Sequence, residues 1–99
     1  MALVIDPARN EVRALEQVAQ WRGKRVLELG CGSGRLTLRL AQLGAAQIDA
    51  LDPDTKLIDT ARKKLPKRYA HRIAYRAGEA ERVGYLATSF DLVVFSWAL

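Results

Sequence analysis

Four short apolar runs along the chain predict buried β-strands. They are RVLEL at residues 25–29, QIDAL at 47–51, RIAYRA at 72–77 and FDLVVFSW at 90–97. Runs of this length that are bounded by glycine, proline or aspartate are typical of strands. The fourth run is the most apolar, as expected for a parallel strand that is covered on both faces.

The segments between these runs carry apolar residues at helical spacing, which predicts three helices. Their start and stop residues are Asp6-Pro7 and Gly23, Ser33 and Gly44, and Asp54 and Pro66. Aspartate and serine are common N-caps, whereas glycine and proline end helices. A short fourth helix is predicted at residues 81–86.

This alternation of strands and helices predicts an α/β fold of three layers, with a parallel sheet between helices on both of its faces. Right-handed crossovers give the strand order third, second, first, fourth, or 3-2-1-4. The topological switch point then lies between the first and fourth strands. A ligand is expected there, at the carboxyl ends of the strands.

The loop after the first strand, GCGSG at residues 30–34, is a candidate ligand site. Gly30 allows a sharp turn, Gly32 lets a ligand approach the backbone, and Gly34 lets the next helix pack close to the strand. The helix N-terminus offers N–H groups to a carboxylate or a phosphate. The spacing is GxGxG, and Arg35 stands where the GxGxxG dinucleotide fingerprint has its last glycine.

Acidic residues follow the next two strands. Asp52 ends the second strand, where such folds have an acid that accepts hydrogen bonds from ribose hydroxyls. Glu79 follows the third strand, and its carboxylate can accept a hydrogen bond from an exocyclic amine such as that of adenine. Both positions belong to the same rim of the predicted sheet as the glycine loop.

Together these motifs resemble class I S-adenosylmethionine-dependent methyltransferases, whose fold is a seven-strand Rossmann-like domain. VLELGCGSGRL resembles their first motif, ALDPD their acidic second-strand end, AGEAE their adenine-side loop and SFDLVVFSWAL their fourth strand. The four motifs occur in the order of the family over residues 26–99. Glu79 stands where aspartate is commoner in the members that act on small molecules.

The resemblance implies S-adenosyl-L-methionine as the cofactor and a set of residues that hold it. The set is Glu28, Gly30, Cys31, Gly32, Gly34, Asp52, Pro53, Glu79, Ala80 and Ser96. Residues of the first motif would face the methionine part, and Asp52 and Pro53 would face the ribose and the adenine. Glu79 and Ala80 would bind the adenine ring, and the backbone near Ser96 would close over the methionyl amino group. No catalytic residue and no metal are assigned.

The resemblance further implies that residues 1–99 form one partial domain, truncated to about four strands and without the substrate-binding C-terminal half. Three functions stay open. The first is a methyltransferase core that acts on a small molecule and is active only if completed. The second is a non-catalytic cofactor-binding half-domain that needs a partner. The third is a NAD-type dinucleotide-binding domain, which the GxGxG spacing disfavours.

The fourth strand also carries an expectation about assembly. With no strand after it, residues 90–97 would form an exposed apolar edge. Such edges recruit other strands, so pairing with a second copy or with a complementing chain is expected.

Composition narrows the remaining possibilities. The chain has one cysteine and one histidine, which exclude an intrachain disulfide and a His-rich metal cluster. Cys31 has no histidine placed by the sequence to activate it as a nucleophile. No apolar run approaches the ~20 residues of a membrane span, and the start lacks a signal-peptide pattern, so a cytoplasmic location is expected.

The net charge of +5 is partly concentrated in RKKLPKRYAHR at residues 62–72. Basic residues near the end of a helix complement its dipole and remain in water. We therefore interpret this run as a helix end and a solvated surface, and nucleic acid is not expected as a partner.

Overall fold

A sheet of five parallel strands forms the centre of the fold. The structure is a computed structural model that describes residues 2–5, 20–78 and 89–96. The strands are β1 (Ala2–Ile5), β2 (Arg25–Leu29), β3 (Gln47–Asp52), β4 (Ile73–Ala77) and β5 (Leu92–Ser96). The helices are α1 (Arg35–Gln42), α2 (Thr55–Lys64) and a short 3₁₀ helix (Lys67–Tyr69).

The strands lie in the order β1-β5-β2-β3-β4. The predicted order 3-2-1-4 corresponds to β4-β3-β2-β5, so it is confirmed, and all three of these pairings are parallel. Each predicted strand is present with limits that differ by no more than two residues. The switch point therefore lies between β2 and β5, at the end of the sheet that carries the glycine loop.

β1 corrects the expectation that the last strand is an exposed edge. Val93 of β5 pairs with Leu27 on one side and with Ala2 on the other. β5 thus lies inside the sheet, and it offers no free edge to a second copy or a complementing chain. β1 was not predicted, because a four-residue apolar segment is too short to show a period and becomes a strand only by pairing with β5.

The two faces of the sheet carry separate buried clusters, because successive strand residues point to opposite sides. The cluster on one face joins the sheet to α1 and α2 and includes Val26, Leu40, Ile48, Ile58 and Val94. The cluster on the other face contains Leu27, Leu29, Leu51 and Val93. The helices predicted before Gly23 and at residues 81–86 lie outside the described residues, so a helical layer on this second face stays a prediction.

Local capping signals set the limits of the described helices. The Asp54 carboxylate accepts the N–H groups of Lys56 and Leu57 at 2.9 and 3.2 Å and so caps α2, as predicted. Gly44 follows α1 with a φ of 101°, a left-handed conformation that ends helices. These features are local in sequence, which is why the sequence alone indicates them.

The basic run at residues 62–72 has structural roles at its two ends. Arg62 lies in the last turn of α2 and donates to the Tyr75 carbonyl at 2.7 Å. Arg72 donates to the carbonyls of Ala41 and Ala45, at the C-terminal end of α1, at 2.7 and 2.6 Å. His71 is exposed in the turn before β4. The run therefore supports helix ends, as its interpretation from the sequence expected.

Candidate functional site

The glycine loop folds back over the end of β3. Gly30 and Cys31 both donate their N–H groups to the Leu51 carbonyl, at 2.8 and 3.0 Å. Gly30, Gly32 and Gly34 have φ angles of 84°, 58° and 92°. These angles lie in the left-handed region, which glycine adopts without steric cost. Any other residue at these positions would strain the turn that carries the chain from β2 into α1.

Asp52 joins this loop to the turn that follows β3. Its Oδ2 atom accepts the N–H of Gly32 at 2.9 Å, and its Oδ1 atom accepts the N–H of Asp54 at 2.9 Å. A carboxylate oxygen can accept about two hydrogen bonds, so each oxygen retains acceptor capacity. Asp52 is therefore a fixed, negatively charged acceptor directly against the glycine loop.

Glu28 lies beneath the loop rather than on its surface. The residue is completely buried, and its Oε1 atom accepts a short hydrogen bond from the Thr37 hydroxyl of α1. Its Oε2 atom lies 2.7 Å from the hydroxyl of Ser96, at the end of β5, and that hydroxyl is also 3.2 Å from the Gly30 carbonyl. Burial raises the pKa of the Glu28 carboxyl, and the negative charge of Asp52 raises it further.

Glu28, Thr37 and Ser96 form a buried polar group, and Tyr75 of β4 lies next to it. The side chain of Tyr75 interacts with Thr37, while burial raises the pKa of its hydroxyl to about 12. A Cβ atom added to Gly34 would come within 2.3 Å of the Tyr75 hydroxyl oxygen. The absence of a side chain at Gly34 thus lets Tyr75 pack directly under the start of α1.

Cys31 belongs to the core and not to the loop surface. Its side chain packs in the larger buried cluster, and burial raises the pKa of the thiol far above its usual value, with further contributions from Glu28 and Asp52. The thiol is therefore protonated at neutral pH, which agrees with the sequence-based view that it is not a nucleophile.

The remaining predicted site residues lie in several environments. Pro53 is exposed beside Asp52, and Arg35 is exposed at the first position of α1. Glu79 and Ala80 lie outside the described residues. The structure thus brings Ser96, at the end of β5, against Glu28 and the glycine loop, which follow one another in the sequence.

Two residues in or next to the buried polar group were missed by the sequence analysis. Thr37 lies on the buried face of α1, next to Leu36. The sequence could have indicated it, because a polar residue on an otherwise apolar helix face is unusual. Tyr75 lies on the core side of β4 together with Ile73, so its sequence position indicated only a core aromatic residue.

Comparison with known proteins identifies the family. The profile of the family described as "Methyltransferase domain" matches residues 26–99, about three-quarters of the chain. The chain belongs to this methyltransferase family. The resemblance inferred from the motifs is therefore confirmed, and the alternative of a NAD-type dinucleotide-binding domain is overturned.

Two relatives illustrate the similarity. The chain is 34% identical over 79 residues to aklanonic acid methyltransferase DauC of a Streptomyces species, covering 78% of this chain and 36% of that protein. It is 39% identical over 72 residues to a ubiquinone biosynthesis O-methyltransferase of Methylocella silvestris, covering 73% of this chain and 27% of that protein. The chain thus spans about a third of the length of these relatives.

Solved structures agree with this assignment. An S-adenosylmethionine-dependent methyltransferase from Mesorhizobium loti superimposes with a TM-score of 0.73 at 29% sequence identity. The match covers 88% of this chain and 37% of that protein. S-adenosyl-L-methionine, predicted as the cofactor from the motifs, is confirmed as the cofactor of this family and fold.

The described residues fit such a cofactor on three counts. Gly30 is partly exposed and has no Cβ atom that would keep a ligand away from its backbone. Asp52 beside it has acceptor capacity for hydroxyl groups. The N-terminus of α1 has no side-chain cap and no acidic residue in its first turn, so its partial positive charge suits a carboxylate.

Within residues 2–5, 20–78 and 89–96, no group of three or more His, Cys, Asp or Glu side chains is arranged to hold a metal ion. None of the described helices is long and apolar enough to cross a membrane.

Proposed function

We propose that this chain is the cofactor-binding part of an S-adenosylmethionine-dependent methyltransferase that acts on a small molecule. The observation that carries the proposal is the contact between Asp52 and Gly32, at 2.9 Å. It joins an acid at the carboxyl end of β3 to the glycine loop at the carboxyl end of β2. This pairing suits an adenosyl compound, because the ribose hydroxyls require hydrogen-bond acceptors and the extended methionine part requires backbone that no side chain covers.

The residues have separate roles in this proposal. Asp52 accepts hydrogen bonds from the two ribose hydroxyls, and Pro53 flanks the adenine. The backbone from Gly30 to Gly32 lies along the methionine part, and the N-terminus of α1 attracts its carboxylate. Glu79 and the Ala80 N–H bind the adenine by resemblance to the family, and the backbone of Ser96 closes over the methionyl amino group.

The chemistry of methyl transfer asks little of these residues. The bound cofactor supplies a methyl group that is already activated by the positively charged sulfur. The chain holds the adenosyl and methionine parts so that an acceptor can approach in line, and orientation of this kind is a large part of the catalytic effect. No described residue is assigned as a general base.

The acceptor is proposed to be a small molecule in the cytoplasm. The similarity to an aklanonic acid methyltransferase and to a ubiquinone biosynthesis O-methyltransferase supports a small-molecule acceptor. Since the chain spans about a third of these relatives, catalysis by the chain itself is a separate proposal from cofactor binding. Its alternative is a cofactor-binding half-domain that acts only with a partner.

Calorimetric titration with S-adenosylhomocysteine and with its 2′-deoxy analogue tests the role of Asp52. Loss of one charge-assisted hydrogen bond is worth about 1–3 kcal/mol, so we expect the analogue to bind about 5–150-fold more weakly. In Asp52→Asn, the deletion of the hydroxyl should cost much less, because the charged acceptor is already absent.

Asp59→Asn is the matched control, since Asp59 is an exposed acid on α2 whose side chain is 67% accessible. This variant should retain the full difference between the two ligands. If the two ligands bind the unaltered chain equally well, Asp52 does not hold the ribose. Binding of NAD without binding of S-adenosylhomocysteine would contradict the proposal as a whole.

A further inference from the structure

The buried polar group beneath the glycine loop forms a continuous series of hydrogen bonds. It runs from Thr37 to one oxygen of Glu28, and from the other oxygen through Ser96 to the Gly30 carbonyl. Three elements therefore meet at one carboxyl group, namely α1, β2 and β5. No ion pair accompanies this carboxyl group within the part of the chain that the structure describes.

The number of hydrogens in this series is limited. A hydroxyl group has one hydrogen to donate, and the Gly30 carbonyl can only accept. Thr37 uses its hydrogen toward Glu28. Ser96 lies within hydrogen-bond distance of two acceptors, Glu28 Oε2 at 2.7 Å and the Gly30 carbonyl at 3.2 Å, but it can satisfy only one of them.

The two charge states of Glu28 differ in how they resolve this competition. If Glu28 is ionised, Ser96 donates to it, and the Gly30 carbonyl faces a hydroxyl oxygen with no hydrogen between them. If Glu28 carries a proton on Oε2, it donates to Ser96, and Ser96 donates to Gly30. Only the second arrangement gives every contact a donor and an acceptor.

We propose that Glu28 is held as a neutral carboxylic acid and positions the glycine loop through Ser96. The proton on Oε2 directs the Ser96 hydroxyl toward the Gly30 carbonyl, which fixes the first residue of the loop against the end of β5. Glu28 is thus a positioning residue, because it acts on the loop through another side chain. The electrostatic surroundings agree, since burial raises the pKa of the Glu28 carboxyl by more than the contacts with Thr37 and Ser96 lower it.

The consequence for the site is that the polar group under the loop adds no second negative charge beside Asp52. A neutral Glu28 still supplies both a donor and an acceptor, so it can join α1 and β5 at the same time. Asp52 then carries a negative charge directly against the glycine loop, and Glu28 beneath the loop carries none. This inference rests on the proposed function only where it concerns the cofactor, and the state of the proton can be tested without any ligand.

The first test compares the pH dependence of folding in the unaltered chain and in Glu28→Gln. An acid that is neutral in the folded chain and ionised in the unfolded chain releases a proton on unfolding. The folding constant of the chain therefore falls about tenfold for each pH unit above the usual pKa of that acid. The other titratable groups that face Glu28 are Asp52, Cys31 and Tyr75, and both chains share them. We expect the ratio of the two folding constants to change about tenfold per unit from about pH 5 to about pH 7.

Asp49→Asn is the matched control for this slope. Asp49 is a partly exposed acid on β3 that accepts a hydrogen bond from the Gln47 side chain. Its strand neighbours Ile48 and Ala50 belong to the core cluster on the side of Glu28, so Asp49 points to the opposite face of the sheet. Its replacement should leave the pH dependence unchanged. The proposal is wrong if the ratio of the folding constants of the unaltered chain and Glu28→Gln does not change between about pH 5 and about pH 7.

The second test measures binding of S-adenosylhomocysteine by the variants. Glutamine reproduces the neutral acid, with an oxygen that accepts from Thr37 and an N–H that donates to Ser96, so Glu28→Gln should bind within about threefold of the unaltered chain. Glu28→Met keeps a similar size but cannot direct Ser96, and it should lose more than about tenfold. Should Glu28→Met fail to fold, the pH slope of the glutamine variant still decides the question.

The two tests separate this inference from the proposed function. If neither chain binds S-adenosylhomocysteine, the proposed function fails, and the pH slope still reports whether Glu28 carries a proton. If the unaltered chain binds and Glu28→Gln loses more than about tenfold while remaining folded, a charged carboxylate is required and the neutral acid is wrong.

Discussion

Replacement of Gly34 by alanine adds one methyl group at the tightest point beneath the loop. The new Cβ would lie 2.3 Å from the hydroxyl oxygen and 2.9 Å from the Cζ atom of Tyr75. Tyr75 is buried in the larger core cluster, so its ring cannot move aside freely. Either α1 or the ring must shift, and both are packed on the same face of the sheet.

The expected magnitude has two parts. Alanine in a left-handed conformation, such as the φ of 92° at Gly34, costs about 1–2 kcal/mol. Insertion of an extra methyl group into a packed core costs about 1–3 kcal/mol. We therefore expect Gly34→Ala to lower the free energy of unfolding by about 2–5 kcal/mol.

Gly23 offers a matched control for the backbone part. It also has a positive φ, 74°, but a Cβ added there would meet nothing within 4 Å. Gly23→Ala should therefore lower the free energy of unfolding by only about 1–2 kcal/mol, the cost of the left-handed conformation. The difference between the two variants isolates the contact with Tyr75.

Urea unfolding followed by tryptophan fluorescence measures both variants, since Trp21 is buried in the core. Tyr75→Phe removes the atom at 2.3 Å, so Gly34→Ala should cost less in that background than in the unaltered chain. Equal losses for Gly34→Ala and Gly23→Ala would refute the packing argument. So would a cost for Gly34→Ala that does not depend on the Tyr75 hydroxyl.

Two further predictions concern α2 and the buried thiol. Asp54→Ala should lower the free energy of unfolding by about 1 kcal/mol, because the first N–H groups of α2 lose their acceptor, and Asp54→Ser should restore most of it in the same urea assay. Burial raises the pKa of the Cys31 thiol from its usual value of 9.0, so stability should fall as the pH rises above about 9, where the unfolded chain ionises and the folded chain does not. Cys31→Ala should weaken this alkaline loss, and an identical pH profile for the two chains would contradict the assigned cause.

The local elements of the fold were readable from the sequence because their signals lie within a few residues of one another. The apolar runs of β2, β3, β4 and β5 have the length of buried strands. Asp54 and Gly44 mark helix ends through backbone geometry that each residue favours by itself. Strand order followed from the handedness of the crossovers, which leaves few arrangements.

Contacts between distant segments required the tertiary structure. Glu28 and Ser96 are separated by 68 positions, and their hydrogen bond depends on the register between β2 and β5. A shift of one residue in that register would turn Ser96 to the opposite face of the sheet. No local pattern encodes this register, so the sequence could not connect Ser96 to the acid beneath the loop.

The sequence by itself determined the family, the glycine loop and the acid at the end of β3, because each depends on residue type and short spacing. The tertiary structure decided that β5 is covered by Ala2–Ile5, and that Thr37 and Ser96 reach Glu28. These features arise from pairing and packing between remote segments. Their free energy depends on where the elements meet, and a linear pattern of polar and apolar residues does not contain that information.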